Sequence, residues 1–489
     1  MKRHVIKRLR QAAALFTAFA LTAALFGGCS QAKVKPDPKN PVTITVWHYY
    51  NSTLLDAFDT LVRTFNETVG LEKGIIVESY GYGNVSELEK AVIASANKEV
   101  GSADIPNIFA SYADTAYETE KMGILANLGD YFPESEQQEY LTSYIEEGKI
   151  GLDGELRIFP IAKSTEIFML NDTDWQPFAQ ANGLGYDALS TIEGVVSVSK
   201  QYYEWTDAKT PDIPNDGKAF YGRDSIANMF IIGLMEFGEE IFQVEGGKGS
   251  LNINTEAMRK LWDCYYVPYI SGYFTAYGRF RSDDAKVGEL LAYVGATSSA
   301  EYFPREVTID GATYAVEAKV LPVPHFENAK KVLVQQGAGM LVTKGSALEE
   351  FASVEFLKWF TNVDNNTVFS ALSGYMPVKK QASDYDFMAA KLKENNQPMS
   401  AITDETLRIA FGEMASSTLY TSKAFGGGAA ARGILENHLQ DKAKADRVLI
   451  IQLMENGESL ETATAKYATD EAFSAWLADI TAKLQDAVE

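Results

Sequence analysis

Four histidines and two cysteines are the whole supply of imidazole and thiol in this 489-residue chain. His4, His48, His325 and His438 stand far apart and no H-E-x-x-H exists, so a zinc hydrolase is not expected. No G-x-S-x-G nucleophile elbow occurs. Gly81-Tyr82-Gly83 lacks the third glycine of a dinucleotide loop, and Gly247-Lys248 lacks the earlier glycine of a phosphate loop. Carboxylates are abundant, but pairs of acids in so acidic a chain have no specificity, and a glycosidase pair stays open on that ground alone. What recurs instead is aromatic and small polar residues at the ends of strand-like runs. Trp47-His48-Tyr49-Tyr50 closes one run and Ser111-Tyr112-Ala113-Asp114 follows another. Ligands of open α/β sheets bind outside the carboxyl ends of the strands. Flat aromatic faces there can stack on apolar ring faces, while Ser, Asp and Arg exchange hydrogen bonds with hydroxyls. That is the chemistry of recognising a sugar-like ligand, with no covalent step. Core packing is the competing reading for each aromatic.

The elements that must position these residues follow from periodicity. Val42, Ile44 and Val46 alternate as a strand ending at Trp47-His48. Leu54, Phe58, Leu61, Val62 and Phe65 follow at helical spacing, with Thr53 and Asp56 as an expected capping box. Residues 75–77 read as a second strand, Ser86 and Glu89 as the cap of a helix reaching Lys98, and residues 105–110 as a third strand. This alternation predicts an α/β fold with a largely parallel sheet. Further strands are expected at 157–160 and 167–170 and a helix at 191–205. Leu348, Ala352, Phe356, Trp359 and Phe360 form one helical face, and Phe473, Trp476, Leu477, Ile480 and Leu484 another. No single linker divides the chain, so two domains of interleaved segments are expected. Pro160, the Pro322-Val323-Pro324 run and residues 373–377 are candidate crossing points, because proline fixes φ where strands leave a domain.

The chain opens with Lys2, Arg3, Lys7, Arg8 and Arg10, an apolar stretch over 12–26, then Gly27-Gly28-Cys29. A basic start, a short apolar stretch and small residues before a cut site make a secretory signal, and the stretch falls short of the ~20 residues of a membrane span. The segment resembles the lipobox of bacterial lipoproteins, with Phe26 where that pattern prefers Leu. The resemblance implies acylation of Cys29, removal of residues 1–28 as a signal peptide, and a polar tether over 29–41. An ordinary secretory signal that happens to hold a cysteine is the alternative. Cleavage takes five positive charges and no acids from a net charge of −22, leaving −27. Such a chain repels nucleic acid and anionic headgroups, so neither is an expected partner. The remaining 461 residues exceed one ordinary core, which favours two domains. With Cys29 acylated, Cys264 has no disulfide partner and reads as a small buried residue.

A wider resemblance rests on the order of several motifs. They are ITVWHYY at 44–50, DIPNIF at 104–109, KMGILANL at 121–128, IFPIAKSTEIFMLN at 158–171, Gly337-Ala338-Gly339, the 348–360 helix and SGYMPV at 373–378. In this order they resemble the extracellular solute-binding proteins of family 1, which serve ATP-binding-cassette importers. The resemblance implies a two-lobed periplasmic-binding-protein-like fold with interleaved segments and a multi-strand hinge, closing over ligand held between the lobes. Lobe one would comprise 42–158 and 332–378, and lobe two 159–331 and 379–489. Carried over by motif, the cleft residues would be Trp47, His48, Tyr112, Asp114 and Ser164, then Arg223 and Asp224, Ser298, and Gly337, Gly339 and Tyr375. Arg223 beside Asp224 would suit vicinal hydroxyls, one donating and one accepting. The glycerol-phosphate branch holds its phosphate through a basic residue in a late R-x-G-N segment. Here residues 422–428 (SKAFGGG) have no Arg, which favours a neutral or mildly charged carbohydrate and offers Phe425 as a stacking platform. The expected partners are a carbohydrate and the permease of an importer, with a lipid anchor in the cell membrane and a monomeric chain. No cofactor, metal or catalysis is expected. A secreted carbohydrate-active enzyme and a sensory or adhesive surface lipoprotein are the alternatives.

Overall fold

The computed structural model describes residues 35–489 apart from 152, 153 and 310, so the leader and Cys29 lie outside the described residues. Two mixed sheets organise the chain. The first takes the strand order Ile75–Gly81, Val42–His48, Ile108–Ser111, Gly339–Val342, Ile158–Phe159. The three N-terminal strands run parallel, and Gly339–Val342 is inserted antiparallel between Ile108–Ser111 and Ile158–Phe159. The second takes the order Ala318–Leu321, Glu166–Asn171, Ala292–Ala296, Tyr221–Arg223. Helices cover the first sheet because its strands are apolar on both faces. On one side Phe58 and Phe65 of helix Ser52–Glu67 meet Phe356, Trp359 and Phe360 of helix Ala347–Phe360 at ring separations of 5.1–6.5 Å. The second lobe packs helices Gly428–Glu455 and Asp470–Val488 on helix Ile226–Glu236, around Trp262, Tyr266, Phe473 and Trp476. Cys264 is buried in that core, which pushes its thiol up to about 12.

Local chemistry shifts some helix starts. The second helix begins at Val85, and Asn84 caps it by accepting from the Glu87 amide at 2.9 Å, so Ser86 is not the cap. The first begins at Ser52 with Asn51 at the cap position, one turn boundary before the expected Thr53. Helix Ile192–Asp207 starts where expected, Thr191 accepting from the Gly194 amide at 3.0 Å. Both helices read from apolar faces near the C-terminal half are present, at Ala347–Phe360 and Asp470–Val488.

The chain passes from the first sheet to the second through residues 160–165 and returns through 335–338. These two segments are tied together: the Ser164 amide donates to the Gln336 carbonyl at 2.8 Å, and the Lys163 ammonium donates to the Gly337 carbonyl at 2.9 Å and to Glu147 Oε1 at 2.7 Å. Strand Val332–Val334 pairs in parallel with Thr418–Tyr420 just before the return, so the chain crosses this region a third time.

His325, directly after the proline run, joins three segments. Its Nδ1 lies 2.6 Å from Glu236 on helix Ile226–Glu236, and its Nε2 lies 3.6 Å from Glu413 on helix Ala401–Ser416. Burial opposes protonation, but the two carboxylates outweigh it and raise the imidazole from 6.5 to about 9. A folded-state pKa above the unfolded one stabilises fully below the unfolded value and is lost as pH rises through the folded one. We therefore expect this link to give up to about 3 kcal/mol below neutral pH and to lose it as the pH approaches and passes 9. Urea midpoints at slightly acidic and at strongly alkaline pH check this. His325→Gln should flatten the difference, and an equally steep loss in that variant would exclude His325 as its source.

Candidate ligand-binding cleft

Between the two sheets lies a cavity of about 610 Å³, within the ~300–1,000 Å³ usual for small-molecule sites. Its wall is built at strand ends. Tyr49 is the first residue past strand Val42–His48, and Tyr112 the first past Ile108–Ser111. Their rings lie 6.4 Å apart and 25° from parallel, a stacked aromatic floor on lobe one. Tyr375 joins them from the return segment. Lobe two contributes Asp224 and Ser225 past strand Tyr221–Arg223, and Ser298 and Tyr302 past Ala292–Ala296. Ser164, Glu166, Gln336 and Gly337 come from the crossing segments. Arg279, Phe280, Asp283 and Lys286 come from the short helix Arg281–Lys286 and the turn before it. Asn51, at the cap position of helix Ser52–Glu67, also lines the cavity. Gly337 has φ +110°, and a Cβ there would lie 2.9 Å from the Ala162 carbonyl oxygen, so glycine is what lets the crossing segments approach.

The electrostatics suit a polar, uncharged guest. Burial raises the phenols of Tyr49 and Tyr375, so both stay neutral hydroxyls that can donate or accept. Asp224 accepts from the Arg281 amide at 3.1 Å, and burial raises it to about 6 against the pull of Arg281. Glu166 is neutralised from behind by Arg223 and accepts from Asn228 Nδ2 at 2.8 Å. Lys286 lies 3.6 Å from Asp283. Among the described residues no group of three or more His, Cys, Asp or Glu side chains could hold a metal ion.

The sequence matches a family model for bacterial extracellular solute-binding proteins over residues 60–397. The chain belongs to that family. No curated protein sequence matches it. Solved structures are similar across its length. The cyclic α-maltosyl-1,6-maltose binding protein of Arthrobacter globiformis superposes with a TM-score of 0.64 at 20% identity, covering 91% of this chain and 100% of its own. UgpB of Mycobacterium tuberculosis, in complex with glycerophosphocholine, gives 0.64 at 18% identity, covering 92% and 100%. The galacto-N-biose/lacto-N-biose I-binding protein of Bifidobacterium longum, in complex with lacto-N-biose, gives 0.62 at 15% identity, covering 92% and 98%. At these identities the likeness is one of fold, the two-lobed fold of substrate-binding proteins. Family membership places the protein's work outside the cytoplasm, and no described helix is long and apolar enough to cross a membrane.

In this solute-binding protein the residues expected at the cleft divide into two groups. Tyr112, Ser164, Asp224, Ser298, Gly337 and Tyr375 line the cavity together. Trp47, His48, Asp114, Arg223, Gly339 and Phe425 do not. Trp47 is 5% exposed in the lobe-one core, its ring 5.1 Å from that of Tyr82. His48 is buried beneath Tyr50, accepts from the Tyr50 amide at 3.2 Å, and is lowered by burial to about 4. The correction is small: strand Val42–His48 is covered up to its last residue, and Tyr49 just past it reaches the cleft. Arg223 does not partner Asp224, because it turns inward to an ion pair with Glu166 and both side chains are 5% exposed. Asp114 sits against the first turn of helix Gly428–Glu455, where a Cβ on Gly428 would lie 2.6 Å from its Oδ1. Burial raises Asp114 to about 6, with Arg432 opposing. Gly339 packs on Ile158, whose Cγ2 would lie 2.1 Å from a Cβ there. Phe425 is buried against Phe242 at 5.2 Å, so it is core and not a stacking platform.

Tyr49, Glu166, Phe280, Tyr302 and Gln336 are cavity residues that sequence reasoning did not single out. Tyr49 stood inside the strand-end run already noted, and counting one place beyond the strand would have found it. The others come from loops and crossing segments, where periodicity has no signal.

Proposed function

We propose that this protein captures a neutral carbohydrate in the interlobe cleft and presents it to the permease of an ATP-binding-cassette importer, tethered to the membrane through acylated Cys29. The observation that carries the reading is the cleft wall itself: stacked Tyr49 and Tyr112 on one lobe face Asp224, Ser298 and the amide of Gln336. Aromatic faces with flanking acceptors and donors match the alternating apolar and hydroxyl surfaces of a pyranose. The wall carboxylates are met by cations, Glu166 by Arg223, Asp224 by Arg281 and Asp283 by Lys286, which suits a neutral guest. The solved relatives named for sugars support the class, and the basic, apolar, Gly-Gly-Cys leader supports the anchor.

Calorimetric titration of a panel of neutral oligosaccharides tests the reading. Tyr49→Ala should weaken the best ligand about ten-fold or more, the stacking contribution of roughly 0.5–1.5 kcal/mol adding to lost burial. Absence of binding across the panel, or full affinity in Tyr49→Ala, would count against a carbohydrate stacked at this place. Cys29→Ala should leave the protein unprocessed or released. If it fractionates with membranes at the mature size of wild type, the anchor is elsewhere.

A further inference from the structure

Lobe two holds a second cavity of about 710 Å³. Loop residues 216–219, the segment around Phe274 and Tyr277, residues 287–289, and the exposed side of helix Gly428–Glu455 form its wall. Three cations line it: Lys218, Lys444 and Arg447. None has a carboxylate within ion-pair distance among the described residues. Lys444 Nζ donates to Gln440 Oε1 at 3.2 Å and Arg447 Nη1 to the Ile270 carbonyl at 3.1 Å, both neutral acceptors. The wall also holds Asp216, which accepts from the Thr210 hydroxyl at 2.6 Å, and Glu289. Among the described residues of this wall, cations therefore outnumber acids, in a chain whose net charge is −22. Aromatic surface is present too: Phe274 is buried at the base and Tyr277 stands 73% exposed at the rim.

Three cations with no carboxylate partner among the described residues repel one another around one hollow. The same arrangement suits an anion with a flat or apolar body: cations meet the charge, and the tyrosine ring meets the body. We infer that this cavity is a second binding site, for a sugar-sized ligand bearing a carboxylate or phosphate. The inference does not depend on what the cleft binds. The two sites share a wall, because Phe280, Asp283 and Lys286 face the cleft while Tyr277, Val287 and Glu289 face the outer cavity. Asp284 fixes that wall by accepting from the amides of Tyr277 at 3.2 Å and Gly278 at 2.7 Å.

Titrations of the mature protein at low salt with glucuronic acid, glucose 1-phosphate and glucose test it. Wild type should bind at least one of the two anions and bind glucose more weakly at this site. Preference for glucuronic acid assigns a carboxylate ligand, and preference for glucose 1-phosphate a phosphorylated one. The double variant Lys218→Gln/Lys444→Gln should lose about ten-fold or more in affinity for the anion. Tyr277→Ala, which removes an exposed ring and no charge, should weaken it as well, while Tyr49→Ala in the cleft should leave it unchanged. Urea midpoints equal to wild type would show that the variants fold. Failure of both anions to bind at millimolar concentration, or wild-type affinity in the double variant, overturns the inference. Loss of anion binding in Tyr49→Ala alone would place the anion in the cleft and overturn it too.

Discussion

Replacing Arg223 by Ala will lower the unfolding free energy by about 3–5 kcal/mol. Arg223 and Glu166 are each 5% exposed, and their ion pair sits where the first crossing segment becomes strand Glu166–Asn171. Removing the guanidinium leaves a carboxylate buried with Asn228 as its remaining side-chain donor, at 2.8 Å. A stranded charge costs far more than the pair contributes relative to an apolar replacement. The double variant Arg223→Met/Glu166→Leu should therefore recover most of the loss. Urea midpoints of the single and double variants decide the matter. A single variant as stable as wild type would mean that solvent reaches Glu166. Because Glu166 also lines the cleft, the single variant should weaken ligand affinity as well.

Trp47→Ala should be equally damaging to stability, at about 3–5 kcal/mol, and harmless to binding. Its indole fills lobe-one core beside Tyr82 and does not border the cavity. Truncation leaves a void that neighbouring strands cannot collapse into, since the sheet is fixed on both faces by helices. Calorimetry and a denaturation midpoint on the same preparation test this directly. Weakened binding at an unchanged midpoint would return Trp47 to the site.

That single residue marks the reach of sequence reasoning here. Apolar periodicity located the strands around Ile44, Ile108 and Ile167 and the helices around Phe58, Phe356 and Trp476, because burial of a strand or helix face is written into local spacing. The principle that ligands meet strands at their carboxyl ends brought Tyr112 to the cavity, and the family resemblance brought Asp224 and Ser298. Errors arose where a partner is distant in sequence. Arg223 was paired with adjacent Asp224, but its partner Glu166 lies 57 residues earlier. Phe425, in the glycine-rich run 422–428, was offered as a stacking platform. Its ring is covered by Phe242 and by Gly249, both on a hairpin far earlier in the chain, at Phe242–Glu245 and Lys248–Leu251. The cap of the second helix moved because Asn84, whose side chain accepts from the Glu87 amide, precedes Ser86.

The strand Gly339–Val342 sets a timetable for secretion. It fills the slot between Ile108–Ser111 and Ile158–Phe159, yet it follows the latter by roughly 180 residues. A polypeptide threading outward from its N-terminus presents both neighbours long before the strand that joins them. Until then all four residues of Ile108–Ser111, buried in the finished protein, border an open ladder edge, the kind of surface that recruits foreign strands. Lobe one therefore cannot be completed until residues 160–338 have followed strand Ile158–Phe159.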